Sequence, residues 1–258
     1  MAQLRVGYLG PEGSFSHEAV ATIDDVDAVA CESLTDLLGA VADGSLDQGL
    51  VPLENAIEGT VSATIDGLVF DHELMIEREI VIPIRLHLLA RPGVALGDVT
   101  KVRSYVHALA QCRRFLHSLD ATVEQTTSTS QAAREVAESD QPWAAVASSL
   151  AGELFGLVSL ASDIEDHPGN ATRFVLVGRD VVAAPTGHDR TTIVCFQDAD
   201  RPGSLYDSPR ETSTSPSSRA GRPSVVSATT ASSSSSRATS PTTWSPTASP
   251  TSKHTWLG

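Results

Sequence analysis

The chain has 258 residues, and its 18 Lys and Arg against 32 Asp and Glu give a formal net charge of −14. That length is enough for one large or two modest domains around a filled core. The acid excess disfavours nucleic acid and anionic lipid as partners, and no apolar run of about 18 residues suited to crossing a membrane is present.

Cys31, Cys112 and Cys195 are odd in number and far apart, with no CxxC pair. No HExxH-like pair occurs among the histidines. Reduced thiols, no metal and no cofactor are therefore expected. The opening Met1 to Val6 lacks the basic flank and long apolar core of a secretory signal, which makes the cytoplasm the expected compartment.

The predicted elements alternate between strand and helix. Leu4 to Leu9 is a short apolar strand that ends in Gly10-Pro11-Glu12-Gly13, and a helix starts near Ser14. Val29 to Cys31 reads as a strand, Leu34 to Val41 as a helix, Gln48 to Pro52 as a strand and Thr60 to Leu68 as a helix. Glu79 to Leu89 is a long β-like run that is expected to cross into a second lobe. Val102 to Tyr105, Ala121 to Glu124 and Trp143 to Ala147 follow as strands, with helices over Ala108 to Ser118, Gln131 to Glu138 and Ser149 to Phe155. Asn170 to Val177 reads as a loop entering a strand. This alternation predicts an α/β protein with a mostly parallel sheet.

Three strand ends run at once into hydroxyl, amide or glycine residues and then a helix: Gly10 to Ser16, Glu54 to Thr64 and Ser128 to Ala133. Helix N-termini expose free N–H groups, and open α/β sheets bind ligands beyond strand carboxyl ends. Each Ser or Thr there has two readings, as a helix cap or as a donor in a shared anion cleft.

Those residues resemble the prephenate dehydratase family. Gly10-Pro11-Glu12-Gly13-Ser14-Phe15-Ser16 is similar to its N-terminal Gly-Pro-x-Gly-Thr/Ser-Phe-Ser motif. Pro52-Leu53-Glu54-Asn55-Ala56-Ile57-Glu58-Gly59-Thr60-Val61 resembles its Pro-x-Glu-Asn-Ser-x-x-Gly-x-Val motif, and Ala108-Leu109-Ala110-Gln111-Cys112 its Ala-Leu-x-Gln-Cys motif. Ser128-Thr129-Ser130-Gln131-Ala132-Ala133 and Asn170-Ala171-Thr172-Arg173-Phe174 match two more, all in the right order across residues 4–180. Two positions depart: alanine stands at 56 where serine is usual, and Ser104-Tyr105-Val106-His107 replaces Ser-His-Pro-x.

The resemblance implies a two-lobed fold like the type II periplasmic binding proteins, with the site between the lobes. Lobe 1 is expected at 1–77 and 163–182 and lobe 2 at 78–162. It implies conversion of prephenate to phenylpyruvate by loss of carbon dioxide and water. Thr172 is expected to be the essential hydroxyl, with Asn55, Gln111 and Glu54 as further catalytic candidates. Ser14, Thr60, Thr129, Ser130, Arg173 and Phe174 are the expected substrate-binding residues. Three keep a second reading: Glu54 as a lobe–lobe contact, Arg173 as an ion pair near Asp163, Glu165 or Asp166, and Phe174 as core. An arogenate dehydratase and a non-catalytic small-anion receptor are the rival functions, and a folding-deficient product of a damaged gene is a third reading.

Asp189 to Phe196 reads as a strand, and Asp200 to Tyr206 resembles the opening of an ACT regulatory domain, a ferredoxin-like α+β fold. That resemblance implies phenylalanine binding at Gly203, Ser204, Leu205 and Tyr206, and a homo-oligomer. The segment 188–206 would be a fragment of that domain, because the expected amphipathic helix is replaced over 207–258 by a mildly basic Ser/Thr/Pro-rich tail. Such composition buries too little apolar surface to offset ordering entropy, so a disordered or out-of-frame tail and impaired phenylalanine control are expected.

Overall fold

A computed structural model describes residues 3–179, 189–196 and 225–233. The chain divides into two compact units, Met1–Val182 and Ala183–Gly258. The first unit holds two lobes, each built on its own sheet.

The sheet of lobe 1 has six strands: β1 (Leu4–Leu9), β2 (Val26–Cys31), β3 (Gln48–Asn55), β4 (Gly59–Thr60), β5 (Met75–Pro83) and β11 (Ala171–Gly178). Their order is β2-β1-β3-β11-β5, with β4 paired to β3. β1 runs parallel to β2 and β3, whereas β11 is antiparallel to both β3 and β5. The sheet is therefore mixed, which corrects the expectation of a mostly parallel one. The periodicity of single strands carries no information about the direction of a partner that lies over a hundred residues away. All eight residues of β11 are buried, as a strand covered on both faces requires.

Two helices cover opposite faces of this sheet. Helix α1 (Phe15–Val20) brings Ala19 and Val20 against Val6, Tyr8, Leu50 and Phe174. Helix α2 (Leu34–Asp43) buries Leu37, Leu38 and Val41 on the other side, each contributing about 1.5–3 kcal/mol of apolar burial. Gly49 makes room for this face, since a Cβ there would overlap Leu37 and Val41. Ser33 caps α2 by accepting from the Asp36 N–H at 3.1 Å, and Gly44 ends it at φ 86°.

Lobe 2 has a five-stranded sheet of β6 (His87–Ala90), β7 (Lys101–Tyr105), β8 (Thr122–Thr126), β9 (Trp143–Ala147) and β10 (Val158–Ala161), in the order β10-β6-β9-β7-β8. Helix α6 (Thr129–Glu138) packs Ala132, Ala133 and Val136 onto it, beside α7 (Ser149–Phe155).

Three expectations need correction. The long run at 79–89 is two strands in different sheets. β5 extends to Pro83 because Ala171 to Gly178 pairs along its whole length, so the crossing to lobe 2 falls at 84–86. The return segment lies alongside: Ile164 N donates to Leu86 O at 2.9 Å, and Ile84 N to Asn170 O at 2.8 Å. The helix expected over 108–118 is broken at Cys112 into α4 (Val106–Gln111) and α5 (Arg113–Leu116). Asp166 causes the break by inserting into the helical ladder: its N–H donates to Gln111 O at 2.6 Å and its carboxylate accepts from Arg114 N at 3.1 Å. The helix expected over 60–68 is shorter, α3 (Ser62–Asp66), followed by a π turn at Gly67–Asp71.

In the second unit, β12 (Asp189–Phe196) pairs antiparallel with β13 (Val225–Ser233). A strand partner from within the Ser/Thr-rich tail was not expected; the Val and Thr residues of this stretch are β formers. Gly203, Ser204, Leu205 and Tyr206 lie outside the described residues, as does most of the tail.

Candidate active site

The site grows from the pairing of two neighbouring strand ends. Asn55 closes β3 and Thr172 opens β11, and the two stand directly opposite in the antiparallel register. Asn55 Nδ2 donates to Thr172 Oγ1 at 2.8 Å. Asn55 Oδ1 accepts from Ile57 N at 2.9 Å and Glu58 N at 3.0 Å. Those two backbone donors fix which end of the amide faces Thr172. Thr172 Oγ1 is thereby an acceptor for Asn55, and its hydroxyl hydrogen has no acceptor among the described residues. A hydroxyl that accepts a hydrogen bond is polarised to donate a stronger one.

A polar ring extends from this pair into lobe 2. Glu58 follows Asn55 in the turn to β4, and its carboxylate meets Gln111 Nε2 at 3.4 Å and His107 Nδ1 at 2.8 Å. Asn170 Nδ2 donates to Gln111 Oε1 at 2.9 Å. Asn170 is 4% exposed, and its Oδ1 has no hydrogen-bond partner among the described residues. Gln111 thus contacts lobe 1 through both ends of its amide.

A second junction between the lobes lies at the β1–α1 loop. Ser130 Oγ donates to Glu12 O, and Ser148 Oγ donates to Gly13 O at 3.0 Å. Gly13 sits at φ 78°, and a Cβ there would lie 2.9 Å from Ser130 Oγ and 3.2 Å from Ala151. Phe15, just beyond, packs against the cores of both lobes.

The other candidates divide by what already occupies them. Ser14 caps α1, donating to Leu9 O at 3.1 Å and accepting from His17 N at 3.2 Å. Ser130 is committed to Glu12 O. Both are therefore architectural groups here, in place of the expected substrate donors. Thr129 begins α6 half-buried, and its hydroxyl has no partner among the described residues. Thr60 is exposed on the β3–β4 hairpin. Arg173 pairs through Nη1 with Glu79 at 3.0 Å and through Nε with Glu54 at 3.7 Å. The ion-pair reading holds with different partners from the three expected, since strand alternation turns Arg173 and Glu54 away from the face that carries Thr172 and Asn55. Glu54 accordingly lies beside a guanidinium on the side of the strand opposite Thr172, away from the position its expected catalytic role requires. Phe174 is 1% exposed within the core of lobe 1, so it is a packing residue.

Sequence reading passed over Asn170, Glu58 and Ser148. Asn170 and Glu58 sit inside the quoted motifs, and that placement was the available signal. Ser148 also caps α7, accepting from Ala151 N at 3.2 Å, and its position just before a helix was the only local signal. Among the described residues there is no cluster of three metal-ligating side chains.

A family profile described as prephenate dehydratase matches residues 6–181. The chain belongs to the prephenate dehydratase family. It is 37% identical over 219 residues to a prephenate dehydratase of Mycolicibacterium vanbaalenii, covering 78% of this chain and 70% of that protein. It is 36% identical over 208 residues to a bifunctional chorismate mutase/prephenate dehydratase of Stutzerimonas stutzeri, covering 79% of this chain and 56% of that protein. The chain thus spans little more than half the length of such bifunctional relatives. The crystal structure of a prephenate dehydratase from Arthrobacter aurescens, in complex with L-Phe, superposes with a TM-score of 0.73 at 37% identity, covering 79% of this chain and 70% of that one.

Proposed function

We propose that the chain catalyses the decarboxylating dehydration of prephenate to phenylpyruvate. Membership of the prephenate dehydratase family supports the reaction. The observation that carries the site assignment is the polarised Thr172 hydroxyl, which accepts from Asn55 and keeps its hydrogen for a ligand.

The reaction asks little of a protein. The bond to the ring carboxylate breaks and its electron pair enters the ring diene. The C4 hydroxyl then leaves with the C–O pair, and a proton completes water. Aromaticity drives the sequence, and the diene itself is the electron sink. The enzyme has to orient a dianion and stabilise the departing hydroxide. Thr172 donates to that oxygen, and Asn55 holds Thr172 in place to do so. Gln111 and Thr129, from lobe 2, orient the carboxylates. Neutral donors suffice for this, in keeping with a chain whose net charge is −14.

We further place the protein in the cytoplasm as a homo-oligomer, with phenylalanine control impaired by the replaced C-terminal region. The test is direct. Purified full-length chain is incubated with prephenate at neutral pH against an enzyme-free blank, and phenylpyruvate is followed. Turnover far above the blank is expected; folded protein that leaves prephenate unchanged overturns the assignment.

A further inference from the structure

We infer that His107 is a positioning residue, an ionic clasp that closes the lobes over prephenate and releases as pH rises. The inference rests on the proposed reaction and adds a residue outside the groups assigned to it.

The polar ring has five members. Thr172 is held by Asn55, Asn55 holds the Glu58 backbone, Glu58 meets Gln111, and Gln111 is held by Asn170, two residues before Thr172. Four of these belong to lobe 1 and only Gln111 to lobe 2. The Glu58–Gln111 distance of 3.4 Å is the longest in the ring. His107 reinforces that link: its Nδ1 lies 2.8 Å from the second oxygen of Glu58. His107 and Gln111 are four residues apart on α4 and so share a face. One carboxylate of lobe 1 therefore grips two side chains of lobe 2 at once.

The imidazole is the side chain whose charge changes near neutrality. Protonated, it forms an ion pair with Glu58; neutral, it leaves a weaker hydrogen bond. The clasp is therefore stronger with the imidazole charged than with it neutral. The groups facing His107 are few. Glu58 comes from the β3–β4 turn, and the Tyr105 ring lies 5.2 Å away. Among the described residues Asp166 makes no ion pair with it, and Arg113 and Arg114 on α5 carry charge of the same sign as a protonated imidazole. Both partners are nearly half exposed, so the effect is modest and sensitive to salt.

The experiment measures kcat and KM for prephenate from pH 5.5 to 9 in wild type, His107→Ala and His107→Gln. In wild type, kcat/KM is expected to fall about three- to fivefold with rising pH, the effect of an exposed ion pair, chiefly through KM. His107→Ala should sit slightly below the alkaline plateau throughout, since it also lacks the neutral hydrogen bond. His107→Gln should lose the pH limb yet recover part of the rate, because an amide N–H can still reach Glu58. Equal loss at every pH, or an unchanged limb in both variants, overturns the clasp. Hydrogen exchange of residues 54–61 and 106–111 supplies a reading independent of turnover. Corrected for intrinsic rates, wild type should be better protected than His107→Ala at pH 6, and the difference should shrink markedly at pH 8.5. A chain that turns over no prephenate but shows this difference loses the reaction and keeps the clasp; no difference in exchange overturns the clasp whatever the activity.

Discussion

Thr172→Val tests the centre of the site, since valine keeps the shape of threonine and removes only the hydroxyl. Two effects follow, and they are separable. Stability should fall by about 1 kcal/mol, because Asn55 Nδ2 loses its acceptor while half-buried. For a unit of this size that lowers Tm by about 2–4 °C. Turnover should fall far more. A preorganised donor aimed at developing negative charge contributes on the order of 10²- to 10³-fold in kcat. KM should change less than about fivefold, because the donor acts mainly on the leaving group. Thr172→Ser restores a hydroxyl at the same atom and should recover much of kcat. Steady-state assays with prephenate, together with thermal melts, separate the two effects. A valine variant with kcat within about threefold of wild type would refute the role, since no donor worth so little stabilises a departing hydroxide.

Further outcomes follow from the same geometry. Gly13→Ala should cost about 2 kcal/mol in urea denaturation, from the left-handed backbone and the crowding of Ser130 and Ala151. Arg173→Gln should destabilise by about 3 kcal/mol in the same assay, the low end for a broken buried pair because Glu54 and Glu79 keep some water contact. Burial pushes the Cys112 thiol up to about 12, with Glu165 and Asp166 adding to it. Peptide mapping after iodoacetamide at pH 8 should therefore find Cys112 unlabelled until denaturant is added. Burial alone would raise the Glu165 carboxyl, but Arg85 together with backbone N–H donors, that of Leu86 among them, holds it below the ordinary carboxylate range. A depressed carboxyl stabilises above its unfolded titration and loses that stability as pH falls through the folded one. Wild type should accordingly lose urea stability as pH falls below about 4.5 more steeply than Glu165→Gln.

Much of this fold was legible locally. Ser14 and Ser128 announce two helices because a cap acts within three residues of itself, and the apolar run before Gly10 reads as a strand wherever it sits in a sheet. Strand direction and lobe boundaries were not legible, because β5 belongs to lobe 1 only by virtue of β11, which arrives nearly ninety residues later. The site shows the same division. Asn55 and Thr172 stood out within their motifs, but a motif does not say which way a strand residue points. Arg173 and Glu54 therefore looked like chemistry until alternation turned them from the face that carries Asn55 and Thr172. Asn170 and His107 acquire meaning only from partners on the other lobe.

The strand carrying Thr172 also dictates an order of assembly. Lobe 2 is one continuous stretch, so it is complete once the chain has emerged past Asp166. Lobe 1 at that moment has β3 and β5 but an empty lane between them, because β11 has yet to be synthesised. The last strand of the two lobes to leave the ribosome is thus an interior one, and it brings Asn170, Thr172 and Arg173 with it. A nascent chain halted before residue 170 would hold a finished lobe 2 beside an open half-sheet, and activity would appear only when that wedge slides home.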